Sequence, residues 1–242
     1  MIKLISREEV FSRSRLADHC ISNMQKWINN TYNPFDDNPD IHYEILDPDV
    51  AAAFSNTNEE GFQYSDDEEG SLLKDLHDHT KPVHDGEKLT DDSAILGYSK
   101  KNKVDYVENC LKALIRFFKI MHIKQLYLVG ELSCDWLRFP FESQEKFAVL
   151  KGIINAPSYR EAFEIDIEDL DFIFPLFHYS DLHCMPLIFF FSANDSVPIY
   201  MFICDDGNFH TWLHSEDREK IFYAASAAGL VMGGLEVCRN TF

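Results

Sequence analysis

The densest group of metal-ligating residue types lies between positions 75 and 85. It contains Asp75, His77, Asp78, His79, His84 and Asp85. Zinc and manganese accept imidazole nitrogens and carboxylate oxygens, and two histidines separated by one residue can converge on an ion from a strand or a loop. However, the spacing does not continue into the longer pattern of a metallohydrolase, and the many acids are typical of a solvated loop. We therefore predict that these three histidines bind no metal.

A second cluster, His178-Tyr179-Ser180-Asp181-Leu182-His183-Cys184, precedes an apolar run that is typical of a strand. Functional sites form at such sheet edges, but histidines in this kind of cluster are more often satisfied by backbone hydrogen bonds. Glu131 and Cys134 follow another predicted strand, where they could supply a carboxylate or a thiolate. A nucleophilic cysteine needs a base within hydrogen-bonding reach, and the sequence identifies none. We expect no catalytic residue and no cofactor in this chain.

Several common functional motifs are absent from the sequence. There is no P-loop, GxGxxG, GxSxG or HExxH pattern, which argues against the standard nucleotide-binding and hydrolase classes. The acids of Asp66-Asp67-Glu68-Glu69 are contiguous, whereas a calcium loop of the EF-hand type needs acids at alternating positions. The run Lys100-Lys101-Asn102-Lys103 is the one short basic stretch, so binding to nucleic acid or to anionic lipid is not expected.

Length and composition favour a folded protein of the reducing cytoplasm. The chain has 242 residues, is 45% apolar and includes 20 phenylalanines, which is enough for a core that needs no disulfide or metal. Its six cysteines are scattered without a CxxC pair, so we predict thiols rather than disulfides. The N-terminus lacks the pattern of a signal peptide, and no apolar run is long enough to cross a membrane. We expect residues 1–242 to form a single, soluble domain.

The formal charge is distributed very unevenly along the chain. The total is −19, of which residues 32–98 carry −15, with 18 acidic and 3 basic side chains. Residues 1–31 carry +2 and residues 99–242 carry −6. Most of the excess negative charge therefore lies in about a quarter of the chain, and this asymmetry bears on function more than any motif does.

The N-terminal part predicts one long helix followed by an acidic, loop-rich segment. Ser6 and Glu9 match a capping box, and apolar residues then recur at helical spacing, which predicts a helix from Arg7 to Asn30. Residues 33–99 show little sustained periodicity, and glycines alternate with clustered acids. We interpret this stretch as a long loop-rich segment, which in a compact domain is usually functional.

The middle of the chain predicts regular elements. Amphipathic spacing predicts a helix over Asn102–His122, followed by a strand over Gln125–Val129. A second helix is predicted over Gln144–Ile154, and Ser158-Tyr159-Arg160-Glu161 matches another capping box. The mixture of acids and large apolar residues in Glu164–Phe177 fits either class of element.

The C-terminal third predicts an antiparallel meander. Leu187–Phe191 and Ile199–Cys204 are apolar runs typical of strands covered on both faces. The turn residues 205–208 connect the second run to Phe209–Leu213, which alternates between apolar and polar side chains. An alanine-rich helix is predicted over Glu216–Val231 and can approach the sheet closely. The fold class is therefore α+β, with this sheet packed against helices.

The charge distribution favours a protein-binding function. Clustered carboxylates accelerate association with a basic surface and can occlude it, which is how inhibitors such as bacterial immunity proteins block nuclease-like toxins. We expect a basic protein partner, no direct contact with nucleic acid or membrane, and no enzymatic activity. The expected partner-binding residues are the clustered acids and two aromatic residues among them: Asp36, Asp37, Glu59, Glu60, Phe62, Tyr64, Asp66, Asp67, Glu68, Glu69, Asp91 and Asp92. The alternatives are a metal- or cysteine/histidine-dependent hydrolase without a recognisable motif, and a non-catalytic regulatory module.

Overall fold

The computed structural model describes residues 2–20, 90–98, 103–130, 135–137, 144–178, 188–193, 197–204 and 207–239. Its strands are β1 (Lys3–Ile5), β2 (Asp92–Gly97), β3 (Gln125–Gly130), β4 (Ala162–Asp166), β5 (Ile188–Ser192), β6 (Ile199–Ile203), β7 (Phe209–Leu213) and β8 (Val231–Gly233). Within these ranges the strands form one eight-stranded sheet in the order β1-β4-β3-β5-β6-β7-β2-β8. All of the strand pairings are antiparallel.

The helices of the described residues lie on both faces of this sheet. They are α1 (Arg7–Arg13), α2 (Lys103–Ile120), α3 (Gln144–Ile154), α4 (Leu170–His178), α5 (Arg218–Ala228) and α6 (Leu235–Arg239). None of them combines the length and the apolarity needed to span a bilayer. The predicted α+β class is confirmed, and α2, α3 and β3 follow the predicted bounds to within two residues.

Two hydrophobic clusters sandwich the sheet. The larger cluster joins α2, α3, α4 and α5 to one face, where Leu128, Phe163 and Phe190 are fully buried. The smaller cluster joins α1 and the helical residues 15–20 to the other face, at Val129 and Phe191. Because side chains alternate along a strand, neighbours such as Phe190 and Phe191 enter different clusters. This explains why β5 is apolar at nearly every position.

The C-terminal meander was predicted correctly. β5, β6 and β7 pair in sequence, and α5 buries Ile221, Ala224, Ala225 and Ala228 against the sheet. The helix ends at Ala228 rather than Val231 because Gly229 takes a left-handed conformation with φ 89°. Residues Val231–Gly233 then form β8, which extends the sheet beside β2.

The prediction of one continuous helix over Arg7–Asn30 is wrong, because the helix is interrupted at Ser14, and positions 21–30 lie outside the described residues. Ser6 caps α1 as expected, since its side chain accepts a hydrogen bond from the Glu9 amide at 3.1 Å. The helix ends at Arg13, because Ser14 is extended with φ −122° and ψ 104°. The Ser14 hydroxyl then accepts from the Ala17 amide at 3.2 Å, so a second helical run begins, which the structure describes for residues 15–20.

Two further predictions are corrected. Ser158-Tyr159-Arg160-Glu161 does not begin a helix: the Ser158 hydroxyl donates to Asp135 at 2.7 Å, and the chain continues into β4. Part of the segment 33–99 is regular, since Asp92–Gly97 forms β2 between β7 and β8. Its apolar core, Ala94-Ile95-Leu96, is only three residues long and follows a cluster of acids. The sequence pattern therefore did not predict a strand here.

Candidate functional site

An aromatic row runs across β6 and β7, on the face of the sheet that carries the smaller hydrophobic cluster. Tyr200 lies opposite Trp212, and Phe202 lies opposite His210, on β6 and β7. The rings of Tyr200 and Trp212 are parallel within 1°, with centroids 5.0 Å apart, and those of Phe202 and His210 are 5.1 Å apart. Cross-strand aromatic pairs stabilise a sheet directly, so these four half-buried rings stabilise the pairing of β6 with β7.

The Tyr200 hydroxyl lies where two distant parts of the chain meet. The side chains of both Cys20 and Thr90 lie close enough to interact with it. Burial raises the pKa of the Cys20 thiol to about 12 and raises the pKa of Tyr200 above its usual value. Both groups are therefore neutral at physiological pH, and the contact is one between uncharged side chains. It joins the residues that flank positions 21–89.

A cluster of two thiols and an imidazole lies at the end of the aromatic row. Cys204 Sγ is 3.7 Å from Cys238 Sγ, and Cys238 Sγ is 3.4 Å from His210 Nε2. The ligand atoms of all three residues lie within 4.8 Å of one another, and all three residues are half-buried. Two sulfurs and one ring nitrogen are ligand types that zinc prefers.

The β6–β7 hairpin positions the first two members of this cluster. The Cys204 amide donates to Asn208 O at 2.8 Å, and the Gly207 amide donates to Cys204 O at 2.7 Å. Gly207 has φ 75°, which a residue without a Cβ adopts at little cost. Because Phe202 pairs with His210, His210 and Cys204 lie diagonally across the hairpin on the same face.

A close approach of α6 to the sheet positions the third member. A Cβ at Gly97 of β2 would lie 2.6 Å from Val237 Cγ1 and 2.5 Å from Asn208 Oδ1. Glycine at this position therefore allows α6 and the hairpin to pack against β2. Cys238, one residue after Val237, is thereby brought beside Cys204 and His210.

Of the expected partner-binding residues, Asp91 and Asp92 lie in the described residues and make internal contacts. The Asp91 carboxylate accepts from the Ser215 amide at 2.6 Å and from the Ser215 hydroxyl at 2.8 Å. These bonds hold the pKa of Asp91 below its usual value. Asp92 pairs with Arg218, the first residue of α5. Both acids thus attach β2 to the start of α5, and their role in binding a partner stays a prediction.

The remaining candidates from the sequence lie largely outside the described residues. This applies to the other ten partner-binding residues and to His77, His79, His84, Glu131, Cys134, His183 and Cys184. His178 ends α4, and its side chain is not among those described. The cluster of Cys204, His210 and Cys238 was missed by the sequence reasoning. Its members are 34 residues apart at their widest, and the only signal is a cysteine and a histidine on either side of a hairpin turn.

Comparison with known proteins adds no further identification. No protein-family model, no curated protein and no solved structure matches this chain.

Proposed function

We propose that this protein is a non-catalytic, acidic inhibitor of the immunity-protein type, which binds a basic partner such as a nuclease-like toxin through the acidic segment between Asp36 and Asp92. The observation that carries the proposal is the separation of charge between two parts of the chain. The described residues include 15 basic and 19 acidic side chains, a net charge of −4 out of −19. Residues 21–89, which we call the acidic stretch, include 4 basic and 16 acidic side chains, a net charge of −12.

The attachment of the acidic stretch to the sheet supports the proposal. Cys20 precedes it and Thr90 follows it, and both side chains reach the hydroxyl of Tyr200. The two described residues that flank the stretch therefore lie at one place, beside the aromatic row. A fold that is nearly balanced in charge does not need a stretch with a net charge of −12, because like charges repel each other and oppose compaction.

Electrostatics define what the acidic stretch can do for binding. Exposed charges act over about 8 Å at physiological salt, so clustered carboxylates increase the association rate with a basic surface. Tight binding also needs buried anchors, for which aromatic side chains are the most effective. Phe62 and Tyr64 lie next to the acids Asp66-Asp67-Glu68-Glu69 in the sequence, and we assign the anchoring role to them.

The proposal is tested by affinity capture from the native cell. The wild-type chain is compared with a variant in which Asp66, Asp67, Glu68 and Glu69 are changed to Lys. We expect the wild type to retain a basic protein at a stoichiometric ratio. We expect the variant to associate with that purified protein at least tenfold more slowly at low salt, and with a weaker dependence on salt.

A matched control separates the position of the charges from the net charge. Changing Glu145, Asp171, Glu216 and Glu219 to Lys alters the net charge by the same amount on the described part of the fold, where all four residues lie on its surface. This control should associate at close to the wild-type rate. If both variants behave alike, or if the captured partner loses none of its own activity on binding, the inhibitor proposal is wrong.

A further inference from the structure

We infer that Cys204, His210 and Cys238 bind one zinc ion, which fastens the C-terminal helix α6 to the β6–β7 hairpin. The inference does not depend on the proposed inhibitor function, because the three residues lie outside the acidic stretch. It rests on the distances between the ligand atoms, on their chemistry and on the elements that they connect.

Two of the three distances between the ligand atoms are close to those around a tetrahedral zinc ion, and the third, between Cys204 and His210, is within 4.8 Å. With Zn–S bonds of about 2.3 Å and Zn–N bonds of about 2.1 Å, two sulfurs lie about 3.8 Å apart, and a sulfur and a nitrogen lie about 3.6 Å apart. The corresponding distances are 3.7 Å between Cys204 and Cys238, and 3.4 Å between Cys238 and His210. The two sulfurs are too far apart for a disulfide bond, which requires about 2.05 Å.

The chemistry of the three ligands selects zinc over the harder cations. Calcium and magnesium take oxygen ligands, whereas thiolate and imidazole favour zinc. Two thiolates would also neutralise the ion's double charge, which suits a half-buried site. Three protein ligands leave the fourth position of a tetrahedral ion for water or for another ligand.

The site would join the short C-terminal helix to the hairpin. The helix α6 has five residues, and isolated helices of fewer than about 12 residues are marginal in water. Cys204 and His210 belong to a hairpin that is held rigidly by the sheet and by the stacking of Phe202 on His210. A metal bound between them and Cys238 would therefore hold the C-terminal helix against the sheet.

The test measures metal content and metal site together in the full-length protein. The protein is purified under reducing conditions without chelator and is then equilibrated with zinc and dialysed. We expect about one zinc per chain by elemental analysis, and loss of at least nine-tenths of it in Cys204→Ser, Cys238→Ser and His210→Gln. The matched controls are His122→Asn, an exposed histidine whose φ of 60° asparagine tolerates, and the double variant His77→Ala, His79→Ala. Both controls should retain the metal.

A second measurement keeps the inference testable if a variant fails to fold. In the wild-type chain, bound zinc should slow alkylation of Cys204 and Cys238 at least tenfold, as measured by peptide mass spectrometry. Cobalt in place of zinc should give the thiolate-to-metal charge-transfer absorption of two sulfur ligands. The inference is overturned if the reduced wild type retains no metal or if zinc protects neither cysteine. It is also overturned if the metal is lost from the His77, His79 variant instead.

Discussion

Tyr200 and Trp212 stack with their ring planes 1° apart, which fixes the direction in which the Tyr200 hydroxyl points. That hydroxyl lies within reach of the side chains of Cys20 and Thr90, the two residues that flank positions 21–89. The stacked pair thus holds the ring, while the hydroxyl contacts Cys20 and Thr90, which flank the acidic stretch. The two functions can be separated by mutation.

Replacing Tyr200 with Phe should weaken the junction and leave the sheet intact. The variant keeps the stacked ring and loses only the hydroxyl, and one hydrogen bond contributes about 1 kcal/mol net. We expect the free energy of unfolding to fall by about that amount. Hydrogen exchange should accelerate more in residues 15–20 and 90–98 than in β3. Tyr223→Phe, at an exposed position, is the control and should change stability by less than about 0.5 kcal/mol.

Removing residues 21–89 should leave a protein that still folds. Since Cys20 and Thr90 meet at Tyr200, a flexible linker of about eight Gly and Ser residues, with a mean span of about 15 Å, can connect them. Within the described residues, both hydrophobic clusters are formed without this stretch. We expect one cooperative thermal transition and unchanged near-ultraviolet circular dichroism. A non-cooperative transition would show that the stretch contributes to the core.

The elements predicted correctly from the sequence are those whose local residue pattern favours the same structure as their tertiary packing does. The helix α3 was placed at its observed bounds, because its apolar spacing and flanking residues favour a helix without tertiary help. The continuous apolar run Phe189-Phe190-Phe191 predicted a strand covered on both faces. In the structure, each of the three rings enters one of the two clusters. In these cases local propensity and tertiary packing point to the same structure.

The errors arise where tertiary contacts override a local signal. Ser158 carries a helix-capping pattern, but its hydroxyl donates to the buried Asp135 instead. The strands β1 and β8 have three residues each, so they are too short for any periodicity and depend on pairing with β4 and β2. The Cys204, His210 and Cys238 cluster needs both a hairpin and a close helix contact to form. Neither is encoded in the spacing of these three residues.

Stability at acid pH should depend on Asp91. Its pKa is lowered by hydrogen bonds from Ser215, so this carboxylate stabilises the fold above the pKa of about 3.9 that an unfolded Asp shows, and the contribution is lost as the pH falls through the folded value. We expect Asp91→Asn to have a lower melting temperature than the wild type near neutral pH, with a difference that shrinks below about pH 4. Ser215→Ala should reduce the same pH dependence. Melting curves of the three proteins from pH 2.5 to pH 7 test this expectation.

The buried Arg7 should be the most sensitive charged position in the N-terminal segment. Its side chain is almost completely buried, and its guanidinium donates to Gly130 O and to Arg160 O, each at 2.8 Å. The Arg7 amide also donates to the Glu161 carboxylate at 2.7 Å. Arg7 thus connects the start of α1 to the end of β3 and to the residues that precede β4.

Replacing Arg7 with Met should lower the free energy of unfolding by about 2–4 kcal/mol, because it leaves the buried carbonyl of Gly130 and the part-buried carbonyl of Arg160 without these donors. Arg7→Lys should fall between this variant and the wild type, since a single ammonium cannot reproduce the geometry of a guanidinium. Arg13→Met is the matched control: Arg13 is half-exposed and pairs with Glu9 and Glu164, and exposed ion pairs contribute less than about 1 kcal/mol. Denaturant unfolding followed by circular dichroism gives the three values. If Arg7→Met and Arg13→Met lose equal stability, the buried contacts of Arg7 do not stabilise the fold as described.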